Sequence, residues 1–203
     1  MSGLNQIYTL RSLEDATAFY DGWADGYDAE LEDNGYATPA RCAAALAEFA
    51  TAPEAPVADF GCGTGLSGLA LRRHGFNHVY GYDISQEMLV QARAKDCYRE
   101  AAVLDMSQPF EGLPKGHFQN AAAIGSLSPW FMPPTVLDEM LGLLPAGGCL
   151  VCSLNDHALK EGSMETRILE LTEHAAADLV FKDHGDHLPG QDLLSTVYVL
   201  KKR

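Results

Sequence analysis

Val57-Ala58-Asp59-Phe60-Gly61-Cys62-Gly63-Thr64-Gly65-Leu66-Ser67-Gly68 is the stretch on which the fold turns. Its first four residues read as a short strand. The glycines that follow let the backbone turn sharply and approach a ligand closely. From Leu66 the pattern becomes helical and ends near His74-Gly75. The start of that helix offers N–H groups that no residue of the helix itself can satisfy. Strand, glycine turn and helix together form half of a nucleotide-binding unit. Gly63-x-Gly65-x-x-Gly68 also fits the dinucleotide pattern, so an NAD(P)-dependent oxidoreductase has to be weighed.

Asp59 argues against the dinucleotide. It stands at the end of the strand, just ahead of the loop, where a pyrophosphate would lie and be repelled. A carboxylate there suits a cationic amino group, directly or through water, and the amino-acid part of S-adenosylmethionine carries one. The next strand, His78 to Asp83, ends in Gly81-Tyr82-Asp83-Ile84-Ser85. Asp83 lies about twenty residues past the glycine loop, the spacing at which an acidic side chain accepts from ribose hydroxyls. The third strand, Tyr98 to Leu104, exits at Asp105-Met106, where a carboxylate can accept from an adenine amino group and Met106 can cover the ring. Any one of these aspartates alone reads as a turn residue. Three at successive strand ends, in step with the glycine loop, converge on one crevice.

Outward from this core, strands and helices alternate. Ala121 to Ile124 and Cys149 to Leu154 read as further strands, separated by a helix from Pro134 to Leu144 that Pro145-Ala-Gly-Gly148 ends. A helix from Ser163 to about residue 175 precedes two last strands, Leu179 to Lys182 and Leu193 to Leu200. These are joined by a loop, Asp183 to Gly190, and Asn155-Asp156-His157 reads as a helix cap or turn. Before the first strand, Ser12 caps a helix over 12–31, and Thr38-Pro39 looks like a cap with proline at the first helical position. Alternation of this kind means a mostly parallel sheet with helices on both faces. The expected layout is one α/β domain over residues 1–203, with 1–52 as an N-terminal helical cap and 53–203 as a Rossmann-like core.

The 203 residues are enough for one well-cored domain. No apolar run has the length of a membrane span, and the first residues lack the pattern of a signal peptide, so a cytoplasmic location is expected. The net charge of −14 repels phosphate backbones and disfavours nucleic acid as a partner. The five cysteines argue against a disulfide framework, and Cys149 and Cys152 read as buried structural residues in an apolar strand. His184-Gly185-Asp186-His187 has the look of a metal pair but falls in the expected loop, so no metal is expected.

At these residues the chain resembles the class I S-adenosylmethionine-dependent methyltransferases. Asp59 to Gly65 looks like their cofactor loop, and Leu144-Pro145-Ala146-Gly147-Gly148 resembles the L-x-P-G-G turn before their fifth strand. Phe19-Tyr20-Asp21-Gly22-Trp23-Ala24-Asp25-Gly26-Tyr27-Asp28 is similar to the Y-D-x-W-A-x-x-Y-D lid helix of one branch. With Ile124-Gly125-Ser126-Leu127 it points to the methyltransferase-like proteins named after the Williams–Beuren syndrome region. The resemblance implies a three-layer sandwich around a seven-stranded, mostly parallel sheet whose last strand is antiparallel. It implies cofactor contacts from Tyr20, Trp23, Tyr27, Asp59, Gly61, Cys62, Gly63, Gly65, Asp83, Ile84, Asp105, Met106 and Ile124, with an aromatic of the lid closing over the methionine moiety. One departure is Phe118-Gln119, where the family often has Phe-Asp before the fourth strand.

Methyl transfer is an in-line displacement for which alignment and exclusion of water matter most. No catalytic base stands out. Tyr27, Trp130 and His157 are the candidates for an acceptor pocket. The expected function is methyl transfer to a small molecule. An NAD(P)-binding oxidoreductase and a non-catalytic S-adenosylmethionine-binding protein are the alternatives.

Overall fold

The computed structural model describes residues 3–52, 54–105, 110–130 and 132–203. In chain order the elements are α1 (Leu13–Asp33), α2 (Thr38–Phe49), β1 (Val57–Phe60), α3 (Leu66–Arg73), β2 (Val79–Asp83), α4 (Gln86–Ala94) and β3 (Glu100–Val103). There follow β4 (Asn120–Ala123), α5 (Val136–Leu143), β5 (Cys149–Asn155), α6 (Asp156–Glu161), α7 (Ser163–Glu173), β6 (Ala177–Leu188) and β7 (Leu193–Lys202). One seven-stranded sheet has the order β3-β2-β1-β4-β5-β7-β6. β1 pairs in parallel with β2 and β4, β2 with β3, and β4 with β5. β7 alone runs antiparallel, against both β5 and β6. The direction of winding reverses between β1 and β4, and a crevice opens at the carboxyl ends of the strands at such a switch point.

Both faces of the sheet are covered, which is why β1 and β4 are buried at every position and are apolar except for Asp59 and Asn120. Phe60, Phe118, Leu150 and Tyr198 pack beneath α5 and α7 on one face. Val57, Val79, Val151 and Val199 pack against α2 and α3 on the other. Of the two helices grouped at the N-terminus, α2 belongs to this second layer through Cys42, Ala43 and Leu46, whereas α1 lies along α4 and the glycine loop. Among the described residues no helix is long and apolar enough to cross a membrane.

Ser12 caps α1 as the sequence suggests, Ser85 caps α4, accepting from the Met88 N–H, and Asn155 caps α6, accepting from the Ala158 N–H. Two local expectations are overturned. Thr38 is inside α2 with Ala37 at the cap position; its hydroxyl lies instead 2.7 Å from His187 Nδ1 and 3.0 Å from Ser195 Oγ. For a fully buried hydroxyl, these tertiary partners outweigh a local cap. The stretch expected to be a loop from Asp183 continues β6 as far as Leu188, paired with β7 through two register shifts. Its alternating polar side chains face solvent on the outer edge of the hairpin, so composition alone made it look like a loop. His187 is buried there, and His184 Nδ1 lies 2.9 Å from Thr196 Oγ1.

The third glycine of the loop motif has a packing explanation. The Tyr98 ring, two residues ahead of β3, packs against Gly65, Gly68 and Gly81. A Cβ on Gly68 would fall 2.4 Å from Tyr98 Cζ, and one on Gly81 3.1 Å from Tyr98 Cδ1. The Tyr98 hydroxyl accepts from the Gly68 N–H at 3.0 Å and donates to Asp59 Oδ2 at 2.8 Å. Gly68→Ala is therefore expected to cost about 1–3 kcal/mol by overpacking. In a Tyr98→Leu background most of that penalty should vanish. A double-mutant cycle by urea denaturation checks this; additive losses would show that the glycine is needed for another reason.

Candidate functional site

The crevice at the β1/β4 switch point is a cleft enclosed by the glycine loop, by the strand ends at Phe60, Asp83 and Ile124, and by α1. Its floor is the glycine loop. The Gly61 and Cys62 N–H groups donate to the Tyr82 carbonyl at 2.7 and 3.1 Å, which turns the chain away from the sheet. Gly63, at φ +52, is the apex, and a Cβ there would meet nothing within 4 Å, so the cradle is open on that side.

Asp83 joins this loop to the end of β2. One carboxylate oxygen accepts from the Gly63 N–H at 2.7 Å, and the other from the Ser85 N–H at 2.9 Å. Burial raises its pKa, while the N–H groups of Ser85, Gly63 and Ile84 pull it back down. Asp59 lies directly behind the floor and is fully buried. Its Oδ2 accepts from Ser67 Oγ at 2.6 Å and from the Tyr98 hydroxyl, and its Oδ1 has no partner among the described residues. Burial pushes this carboxyl up to about 6, against the opposing pull of Ser67 and Tyr98.

The roof is α1. Asp21, Asp25 and Asp28 share one face of it because the spacing follows the helical period. Asp21 Oδ1 accepts from Ser85 Oγ at 2.6 Å, and Asp25 Oδ1 from Gln91 Nε2 at 3.0 Å. Asp28 accepts from Thr64 Oγ1 and pairs with Lys95 Nζ at 2.6 Å, while Lys95 also donates to the Thr64 carbonyl at 2.7 Å. Held this way, α1 presents Tyr20 and Tyr27 to the cleft. Desolvation and the nearby Tyr36 and Tyr20 raise the Tyr27 phenol well above its ordinary value, so it stays protonated.

Of the residues read from the sequence, Tyr20, Tyr27, Gly61, Cys62, Gly63, Asp83, Ile84 and Ile124 line this one cleft. Asp59 and Gly65 support the floor from behind. Trp23 faces the N-terminal residues instead: its Nε1 donates to Glu30 Oε2 at 2.8 Å, and it packs by Leu4 and Leu31. Asp105 is exposed, one residue past the lining Leu104, and Met106 lies outside the described residues. The trio proposed for an acceptor is not gathered. Tyr27 is in the wall, Trp130 is not among the lining residues, and His157 is turned to solvent by the first turn of α6 that Asn155 caps.

The sequence reading missed Tyr36, Gly125, Ser126 and the apolar wall. The Tyr36 hydroxyl occupies the space over Gly125, where a Cβ would lie 2.2 Å from it. Behind Tyr36 stands His187, edge-on at 5.3 Å, with its pKa held down at about 4 by burial and by Arg41. Ser126 Oγ donates to the Phe60 carbonyl at 2.8 Å and sits where a Gly61 side chain would go. A lone glycine after the fourth strand was the one signal in the sequence; its φ of +68 appears only in the structure.

A family model described as "Methyltransferase domain" matches residues 57–148. The human protein called methyltransferase-like protein 27 is 33% identical over 136 residues, which are 66% of this chain and 55% of that protein. The chain thus spans about half the length of this curated relative. A TehB-like SAM-dependent methyltransferase from Corynebacterium glutamicum superposes with a TM-score of 0.65 at 20% identity, covering 92% of this chain and 99% of the other. A geranyl diphosphate methyltransferase in complex with SAM gives 0.64 at 15% identity, covering 88% and 91%.

Asp59 makes stability pH-dependent. Its folded pKa of about 6 lies above the ordinary 3.8, so its contribution is complete below pH 4 and is lost as pH rises through 6. That gap corresponds to about 3 kcal/mol. Asp59→Asn keeps the shape without the charge. Relative to the native chain, the variant should gain about 3 kcal/mol between pH 4 and pH 7 in denaturant titrations. A difference that does not change with pH would refute the buried charge.

Proposed function

We propose that the chain is a class I S-adenosylmethionine-dependent methyltransferase, which binds S-adenosylmethionine in this cleft and passes the methyl group to a small-molecule acceptor. The observation that carries the reading is the Asp83 carboxylate, which occupies the Gly63 N–H at the loop apex. A dinucleotide pyrophosphate would need that N–H and would face two carboxylates. A nucleoside with free ribose hydroxyls and a cationic amino-acid tail fits the same groups. Asp83, at the rim, accepts from the ribose. Ile84 and Leu104 enclose the base, with Asp105 beyond. Asp59, with an unpartnered oxygen behind the loop, supplies the negative field for the ammonium.

The cofactor supplies a methyl group already activated on a sulfonium. The protein's part is alignment and dryness. Tyr20 and Tyr27 close the roof, Tyr36 and Gly125 flank the end of β4, and the aspartate row of α1 keeps the lid in place. Residues 1–203 act as one domain, with α1 as the cap, in the cytoplasm and on metabolites rather than nucleic acid, in keeping with the net charge of −14.

Titration calorimetry with S-adenosylmethionine, S-adenosylhomocysteine and NAD tests the proposal; tighter binding of NAD would overturn it. Asp83→Ala should weaken S-adenosylmethionine at least tenfold, since hydrogen bonds to a charged group contribute about 1.5–3 kcal/mol. Unchanged affinity would move the ribose elsewhere. Labelled methyl transfer into a metabolite extract separates an enzyme from a mere binder.

A further inference from the structure

Asp59 and Gly81 are register partners on β1 and β2, and β3 lies on the far side of β2. Gly81 carries no side chain, so a lane crosses β2 from the edge of the sheet to Asp59. The Tyr98 ring, two residues ahead of β3, lies in that lane. A Cβ at Gly81 would fall 3.1 Å from Tyr98 Cδ1 and 2.9 Å from Cys62 Sγ. At the end of the lane the Tyr98 hydroxyl meets Asp59 Oδ2 at 2.8 Å, the Gly68 N–H at 3.0 Å and Ser67 Oγ at 3.3 Å.

Two donors share one carboxylate oxygen. Ser67 Oγ donates to the same Oδ2 at 2.6 Å. Oδ1 has no partner among the described residues, although Asp59 is fully buried. A carboxylate buried only for the fold gains most when its donors are spread over both oxygens. Both donors on Oδ2 fix the rotation of the carboxyl group and leave Oδ1 uncommitted.

The titratable groups around Asp59 are Asp83 at the end of β2, Cys42 of α2, Cys62 of the loop, and Cys97 and Tyr98 ahead of β3. β4 and the buried face of α3 bring none. Burial raises the thiols and the phenol, so they stay neutral, while Asp83 opposes a second negative charge. Among the described residues, Ser67 and Tyr98 are the groups that favour the ionised form, and their pull leaves the carboxyl at about 6. Loss of either hydroxyl moves that value up, because a hydrogen bond to a carboxylate stabilises its charge.

We propose that Tyr98 is a positioning residue for the amino-acid end of the cofactor: with Ser67 it holds Asp59 ionised and leaves Oδ1 open to the ammonium. The inference rests on the cofactor assignment above. Tyr98 is not among the residues that line the cleft, so it acts through Asp59 and touches neither cofactor nor acceptor. Its ring and its hydroxyl have separate tasks. The ring packs the glycines of the loop, and the hydroxyl sets the charge beneath it. An ammonium is drawn to the carboxylate and not to the neutral acid. Recognition of the tail therefore strengthens as pH rises through the Asp59 titration and fades below it.

Titration calorimetry with two ligands separates these tasks. S-adenosylhomocysteine carries the ammonium tail, and 5′-methylthioadenosine has the same nucleoside and sulfur without it. In Tyr98→Phe the Asp59 titration moves up by about one pH unit. The variant should then bind S-adenosylhomocysteine about fivefold more weakly than the native chain at pH 6, and within about twofold of it at pH 8. Its affinity for methylthioadenosine should stay within about twofold of native at both pH values. In an Asp59→Asn background the same substitution should change the affinity for neither ligand. Should Tyr98→Phe fail to fold, Ser67→Ala removes the other hydroxyl from Oδ2, and its S-adenosylhomocysteine affinity is held to the same dependence on pH. Native affinity for S-adenosylhomocysteine in the variant at pH 6 would overturn the proposal. So would equal losses for the two ligands, or a loss that persists in the Asp59→Asn background. Failure of the native chain to bind S-adenosylhomocysteine would instead remove the cofactor assignment.

Discussion

A single carboxylate joins the sheet to the glycine loop. Asp83 ends β2 and accepts from the apex of the loop at Gly63 and from the start of α4 at Ser85. Three segments that are separate in the chain thus share one charged, nearly buried group, and charge-assisted bonds of this kind are the strong ones. The loop cannot drift from the sheet without exposing a carboxylate that has lost its donors. The position of the cleft follows, because the loop is its floor and α4 is the element on which the lid rests.

The lid depends on the same corner. Ser85 caps α4 and also donates to Asp21 of α1, while Thr64 of the loop donates to Asp28. The roof is therefore fastened by polar contacts to the floor and to α4, with a ring of tyrosines between them. Contacts of this kind, exposed at one edge, are individually weak, and their value lies in orientation. They aim Tyr20 and Tyr27 inward and leave Trp23 to anchor the N-terminal residues.

Beneath the floor, Asp59 shows how a buried charge is retained. Ser67 and Tyr98 satisfy one oxygen, and the other is left without a protein partner. A native core rarely leaves a buried polar atom unsatisfied. The tension is consistent with a group that serves a cationic ligand more than it serves the fold. The ring that partners it also explains the glycine at 68, where the space belongs to Tyr98 rather than to a phosphate; Gly65 is further required by its φ of +97, and Gly81 by the Cys62 sulfur as well as the ring.

The alternation of apolar runs with helical periods was enough to establish the doubly wound sheet. The reason is that strands covered on both faces must be largely apolar, Asp59 and Asn120 being the buried exceptions, while helices that cover them need one apolar stripe. The glycine loop and Asp83 were legible for a related reason: backbone at positive φ and a carboxylate at a strand end leave few residue choices. What only the tertiary structure decided was everything that depends on side chains meeting across the chain. Thr38 gave up a cap for His187, a polar stretch became the end of β6, Tyr36 entered the cleft, and Trp130 and His157 stayed out of its wall. Local propensity records none of these outcomes, because each is set by which distant group is left needing a partner once the sheet has closed.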